Sequence, residues 1–275
     1  MKVSVISPVL NEVEFIGYSI MAAAPYVSEF VYALDEKSSD GTRELLEYIQ
    51  NKHLHERLRV LRHSTFHPHN MAAYNEAFNR CIRESSGDAV LFLHPDMIMT
   101  QGPTDPFPDG LAYWTTITSY AGDLETVISS GRCNQWKNLH QKKFGLHYFG
   151  SYGSQNEDFY HSDITGRSYK HFGTEFSKYP FRVADSGIRI NHYCENKDYA
   201  RRLEKMKLCL KTLYPEMKDD RVEELAIQHP RVTLEASSTI FGEFAFEKSK
   251  EPIPDVFNRY KKEFSLFHKG ALVNV

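Results

Sequence analysis

Through the first hundred residues the chain switches between two hydrophobic rhythms. Val3 to Ser7, Phe30 to Leu34, Leu58 to Leu61 and Ala89 to Leu93 are short, largely apolar runs of strand length, the pattern of strands covered on both faces. Between them, Glu14 to Ala24, Thr42 to Lys52 and Met71 to Ser85 bring apolar residues back at helical spacing; Pro25 closes the first and a Gly87-Asp88 turn follows the third. Strand-helix units joined this tightly predict right-handed crossovers and a parallel sheet. Ligand-binding groups gather at the carboxyl ends of such strands, here near Pro8, Asp35 and His94.

The remaining chain has weaker periodicity. Gln101 to Gly110 is a turn-rich loop, Leu111 to Tyr120 reads as a strand, and Gly187 to His192 as a strand ending in a histidine. From Asn134 to Tyr152 the chain carries Trp136, Lys137, His140, Lys142, Lys143, Phe144, His147, Tyr148, Phe149 and Tyr152 and no acidic residue. Two readings stay open: a packed loop with a basic rim, or a surface on which sugars or bases stack. Asp198 to Tyr214 predicts a helix with Leu203, Met206, Leu210 and Leu213 on one stripe and Arg201, Arg202, Lys205, Lys207 and Lys211 around it. The cations make a solvated face or a patch for an anionic acceptor or membrane. A helix near Asp220 to Gln228, a short strand around Val232 to Ile240 and a Phe/Tyr-rich tail from Phe241 to Phe267 complete the pattern.

At 275 residues, 41% of them apolar by type, the chain can form one large α/β domain or a domain with an appendage. Its apolar runs are too short to span a bilayer and its start passes directly into a strand, which predicts a soluble, cytoplasmic protein. A formal net charge of -3 gives no broad attraction to phosphate backbones, so any nucleic-acid role rests on a local patch. Cys81, Cys133, Cys194 and Cys209 are scattered without a Cys-x-x-Cys pair and read as free buried thiols.

The chemistry is carried by four segments: Pro8-Val9-Leu-Asn11-Glu12, Asp35-Glu36-Lys-Ser-Ser-Asp40-Gly41-Thr42, Asn70-Met-Ala-Ala-Tyr-Asn75, and Gly87 to His94-Pro95-Asp96. In order and spacing they resemble family 2 glycosyltransferases of the GT-A fold, a match concentrated in the first hundred residues. The resemblance implies a Rossmann-like mixed sheet flanked by helices, with a catalytic domain over 1–195 and a helical, aromatic-rich extension over 196–275. Within the former, 1–100 would bind the nucleotide-sugar and 101–195 the acceptor. It also implies that Pro8, Val9, Asn11, Glu12, Asp35, Glu36 and Asp40 hold the nucleoside, UDP by default, and that the end of the fourth strand holds a divalent metal on the diphosphate.

Those residue types suit those tasks. A nucleoside diphosphate concentrates negative charge, which a hard cation on a carboxylate neutralises; a carboxylate without a metal suits a pyrimidine N–H or ribose hydroxyls instead. Asp96 is the first choice for the metal. The family's Asp-x-Asp is replaced here by His94-Pro95-Asp96, which shifts preference from magnesium toward manganese or softer ions. By resemblance, His192 is the downstream ligand, and the Glu157-Asp158 pair supplies the base that deprotonates the acceptor hydroxyl in an inverting transfer, Asp158 first. Asp163, Glu175 and Asp185 stay open for that role. The acceptor is a glycan or a hydroxylated nucleic-acid base. Two other classes are open: a zinc hydrolase using His67, His69, His94, Asp96 and His192, and a non-catalytic relative that keeps nucleotide-sugar binding.

Overall fold

Val3–Val9 (β1) is buried at every position, lying between Glu29–Asp35 (β2), buried throughout as well, and Ala89–Phe92 (β4). The computed structural model describes residues 1–64, 71–104, 112–128, 135–149, 159–162, 167–170, 183–195, 199–214, 216–233, 237–239 and 242–268. β1 pairs in parallel with both neighbours, and β2 pairs in parallel with Leu58–His63 (β3) at the edge. Ile16–Ala23 (α1), Thr42–Ile49 (α2) and Met71–Glu84 (α3) make the crossovers. The alternation predicted for the first hundred residues is therefore the observed one. Its registers set Pro8 beside Ala33 and Asp35 beside His63, and a backbone bond from Leu93 N to Ile6 O carries the pairing past the end of β4.

Beyond β4 the sheet becomes mixed. Met97–Gln101 (β5), Ala112–Ala121 (β6), Thr126–Ile128 (β7) and Gln135–Gln141 (β8) follow, then Leu146–Phe149 (β9), Phe159–Ser162 (β10), Arg167–Lys170 (β11) and Val183–Glu195 (β12). β8 lies between β4 and β6, antiparallel to both; β12 runs parallel to β6 and antiparallel to β5. β9, β10 and β11 form a separate antiparallel sheet. The aromatic and basic stretch from 134 to 152 thus contains two strands where the sequence suggests a loop. Asn138, His140 and Gln141 of β8 are buried, and polar side chains turned inward erase the apolar alternation by which a strand is recognised.

The last eighty residues are not simply helical. Tyr199–Leu213 (α4), Asp219–Ile227 (α5) and the short Pro230–Thr233 (α6) share a small apolar cluster of Met206, Leu210, Val222, Ala226 and Val232. α6 occupies the start of the stretch expected to be a strand; the strand itself is Ser237–Thr239 (β13), paired with Gly242–Phe244 (β14). Phe246–Lys248 (β15) then adds to β7 at the far edge of the main sheet. Asp255–Phe264 (α7) sets Phe257 and Phe264 into the main core. α1 is covered by β5 on one side and α7 on the other, which explains why it is apolar nearly all round. Phe264 lies so close to Gly17 that a Cβ there would meet the ring at 2.7 Å.

Cys81 is buried against α3's apolar partners, and burial pushes its thiol up to about 12, the state of a packing residue rather than a nucleophile. Cys133, Cys194 and Cys209 lie outside the described positions or have undescribed side chains.

At the amino end of the sheet Glu29 accepts hydrogen bonds from Ser4 Oγ at 2.6 Å, Ser86 Oγ at 2.8 Å and the Ser86 amide, with Arg59 3.3 Å away. Burial works to raise its pKa, but these donors outweigh it and hold the carboxyl below the ordinary value. The unfolded chain then binds the extra proton, so the stability Glu29 contributes is full above about pH 4.3 and is lost as pH falls through the lowered folded value. In urea titrations from about pH 5 to about pH 3, the stability of Glu29→Gln is expected to fall less steeply than that of the wild type. Phe264→Ala, which empties a fully buried ring site, is expected to cost about 3–5 kcal/mol in the same assay.

Candidate active site

The carboxyl ends of β1, β2 and β4 meet at one edge, and two loops there are tied to each other. Asn11, just past β1, has a φ of 52°, a left-handed conformation that Asn tolerates better than most residues. Its amide donates to Ser38 Oγ at 3.2 Å, and its Oδ1 accepts from the Ser39 amide at 2.9 Å. The Glu12 amide donates to Thr42 Oγ1 at 2.8 Å and the Val13 amide to Asp40 Oδ2 at 3.1 Å. Asp40 Oδ1 accepts from the Thr42 amide at 3.0 Å and its hydroxyl at 2.5 Å. Asp40 Oδ2 thereby joins the loop after β1 to the loop after β2, while Oδ1 holds the first residue of α2.

Asp35 differs from Asp40. It is fully buried at the last position of β2, and its Oδ1 accepts from the Lys37 amide at 2.8 Å. Pro8 and Val9 are buried beside it, while Glu36 is exposed on the turn, its amide bonded to His63 O. Gly41 follows at φ 106° as the residue before α2; the carbonyl of Phe267 occupies the space a side chain would need there. The chain's last described turn therefore sits on the second loop. His268 ends that turn; burial lowers its pKa against the opposing influence of Glu14 and Asp40.

The second cluster is built by strand register. β5 and β12 pair with Met97 opposite His192, and the Tyr193 amide donates to Asp96 O at 2.9 Å, extending the ladder one residue past β5. This sets the Asp96 and His192 side chains together, His192 Nε2 lying 3.4 Å from Asp96 Oδ1, with both residues buried. The His94 ring is parallel to that of His192, with centroids 6.1 Å apart, and packs on Phe92; Trp136 from β8 meets His192 edge-on at 5.4 Å. Among the described residues no group of three or more His, Cys, Asp or Glu is placed to hold a metal ion. A cation that takes most of its shell from phosphate oxygens and water requires only one or two protein ligands. A neighbouring carboxylate and imidazole fit that requirement as a donor set.

The structure brings Asp96, His94 and His192 to one corner, and Pro8, Val9, Asn11, Glu12, Asp35, Glu36 and Asp40 to the adjoining edge. Asp158, Glu157, Asp163, Glu175, His67 and His69 lie outside the described residues. Asp185 is exposed near the start of β12, away from His192, and accepts from the Gly187 amide.

Sequence reasoning missed the role of Arg201. From α4 its guanidinium bonds the Asn11 carbonyl, lies 2.9 Å from Glu14 Oε1 and 3.7 Å from Asp40 Oδ2. Burial acts to lower its pKa, but Glu12, Glu14 and Asp40 outweigh that and hold it above the ordinary value. No local signal marks it, because its partners Asn11, Glu14 and Asp40 lie on the far side of the sequence, near its start.

The carboxyl ends of the strands are where open α/β sheets bind their ligands. Residues 4–104 match the Glycosyl transferase family 2 sequence model. No curated protein matches the chain. Two solved structures are similar to it. One is S. aureus TarS, residues 1–349, at 14% identity and TM-score 0.38, over 85% of this chain and 71% of that one. The other is a mycobacterial protein at 14% identity and TM-score 0.39, over 94% of this chain and 87% of that one.

Asn11 gives a direct test of how firmly the edge is built. Asn11→Ala loses the Ser39 contact and keeps a Cβ in a left-handed residue without the side chain that favours it there, whereas Asn11→Gly loses the contact but also relieves the Cβ strain. Urea denaturation should find the alanine variant less stable than the glycine variant by about 1 kcal/mol.

Proposed function

We propose that the protein is a metal-dependent glycosyltransferase that moves a sugar from a nucleoside diphosphate donor, a UDP-sugar in the first instance, to an acceptor hydroxyl with inversion. The observation that carries this reading is the buried Asp96–His192 pair at the same sheet edge as the buried Asp35, within and beside the family-matched segment.

Asp35 accepts from the Lys37 amide, and a buried carboxylate at this edge suits the N–H of a pyrimidine base. Asn11 and Glu12 frame the nucleoside from the first loop, with Pro8 and Val9 as its floor and Glu36 at its rim. Asp40 supports this pocket through the loop-to-loop bonds. Asp96 and His192 would hold the divalent ion, manganese or magnesium, with His94 packed alongside. When bound, that ion supplies positive charge for the diphosphate as it departs. Asp158, with Glu157 next to it, is assigned the acceptor proton on the strength of the sequence alone. The division into a catalytic part over 1–195 and an extension over 196–275 belongs to the same proposal.

A glycan is favoured over nucleic acid as acceptor, because Arg201, Arg202, Lys207 and Lys211, the cations of α4 whose side chains are described, are occupied within the fold. Lys207 pairs with Glu204 and Glu223, Lys211 lies 2.6 Å from Asp219, Arg202 donates to Val232 O, and Arg201 serves the donor loops. Charges neutralised by their own chain attract phosphate backbones poorly.

Thermal unfolding with UDP, ADP, GDP and CDP, each with manganese, magnesium or zinc, tests the proposal. The correct diphosphate at a hundredfold excess over its Kd should stabilise the folded state by about 2.7 kcal/mol in the presence of metal. Asp96→Asn and His192→Ala should abolish the metal-dependent part. A chain stabilised by zinc alone and by none of the diphosphates would exclude the transferase reading and favour a hydrolase.

A further inference from the structure

We infer that Arg201 is a positioning residue for the donor, clamping the nucleoside loops from the C-terminal part of the chain. The inference rests on the donor site proposed above and adds the element that keeps that site in shape.

Three observations converge on it. The Arg201 guanidinium bonds the carbonyl of Asn11, the residue held at positive φ. The two other contacts that fix Asn11 come from Ser38 and Ser39 on the second loop, so Arg201 supplies the third support and the one from outside the two loops. The same guanidinium faces three carboxylates, Glu12, Glu14 and Asp40. Those acids sit at the edge expected to receive a diphosphate, and unneutralised they would repel it. Glu14 is itself buried, and its second oxygen has no hydrogen-bond partner among the described residues. Its other oxygen, Oε1, forms the ion pair with Arg201.

The chemistry calls for arginine. One planar fork contacts a carbonyl and a carboxylate from separate nitrogens, Nη2 on Asn11 and Nη1 on Glu14, whereas an ammonium concentrates its charge at one point. Removing the guanidinium would release the Asn11 carbonyl and leave Glu14 unpaired. The geometry of the nucleoside pocket and the local charge would both change, with no residue that touches the donor being altered.

A loss of folding alone could mimic the effect, because a buried carboxylate stripped of its partner destabilises the chain. The test therefore uses Arg201→Gln together with Arg201→Gln/Glu14→Gln, in which no buried charge is stranded. Two readouts are taken: binding of UDP with manganese by calorimetry, and hydrogen exchange at the amides of Glu12, Val13, Ser39 and Thr42 without ligand. The double variant should melt near the wild-type temperature, yet bind UDP about tenfold or more weakly and exchange those amides faster. Arg201→Lys should restore part of the affinity.

A double variant with wild-type affinity and wild-type exchange would overturn the clamp while leaving the donor site standing. Wild-type protein that binds neither UDP nor ADP, GDP or CDP would instead remove the donor reading, and with it the purpose given to the clamp.

Discussion

The positions of Pro8, Val9, Asp35 and Asp96 at the candidate site follow from the burial of β1. Seven consecutive residues without access to water, hydrogen-bonded on both sides to parallel neighbours, cannot slip by one place without turning an apolar face against the wrong layer. Pro8 and Val9 are thereby fixed at the edge, Asp35 is placed by its register with β3, and the Leu93 bond to β1 delivers the chain to His94 and Asp96. The candidate edge is a by-product of strand registration. Its loops add only the last few ångströms.

What could be read from the sequence divides along that line. The first hundred residues carry continuous apolar strands and amphipathic helices, and both the parallel sheet and the edge residues were accessible from that pattern. β8 was hidden because Asn138, His140 and Gln141 point into the protein, so its apolar content resembles that of a loop. α7 was hidden for the opposite reason: its Phe257 and Phe264 look like a generic aromatic tail until α1 is present to receive them. The Asp96–His192 proximity was expected from family resemblance. Its cause, the β5–β12 register that makes them neighbours, joins segments nearly a hundred residues apart. Arg201 stood in a row of similar cations, and nothing local distinguishes the one that reaches back across the fold.

The chain is also economical with its charges. The basic helix, for which the sequence leaves open a solvated face or an anion-binding patch, directs its described lysines to α5 and its arginines to the loop after β1 and to α6. Each exposed pair among these contributes little to stability, but together they fix how α4 lies. That matters at the site, since α4 carries the guanidinium that faces Glu14 and Asp40. Electrostatics here acts less as glue than as alignment.

The contact between Gly17 and Phe264 has a consequence for how the protein is made. Residues near opposite ends of the chain share one core, so the ribosome releases α1 long before the helix that seals its outer face has been synthesised. During that interval the family-type segment exposes apolar surface it cannot cover by itself, a setting in which nascent chains engage chaperones. The loop before α2 acquires its full packing only when Phe267 has been made and settles against Gly41.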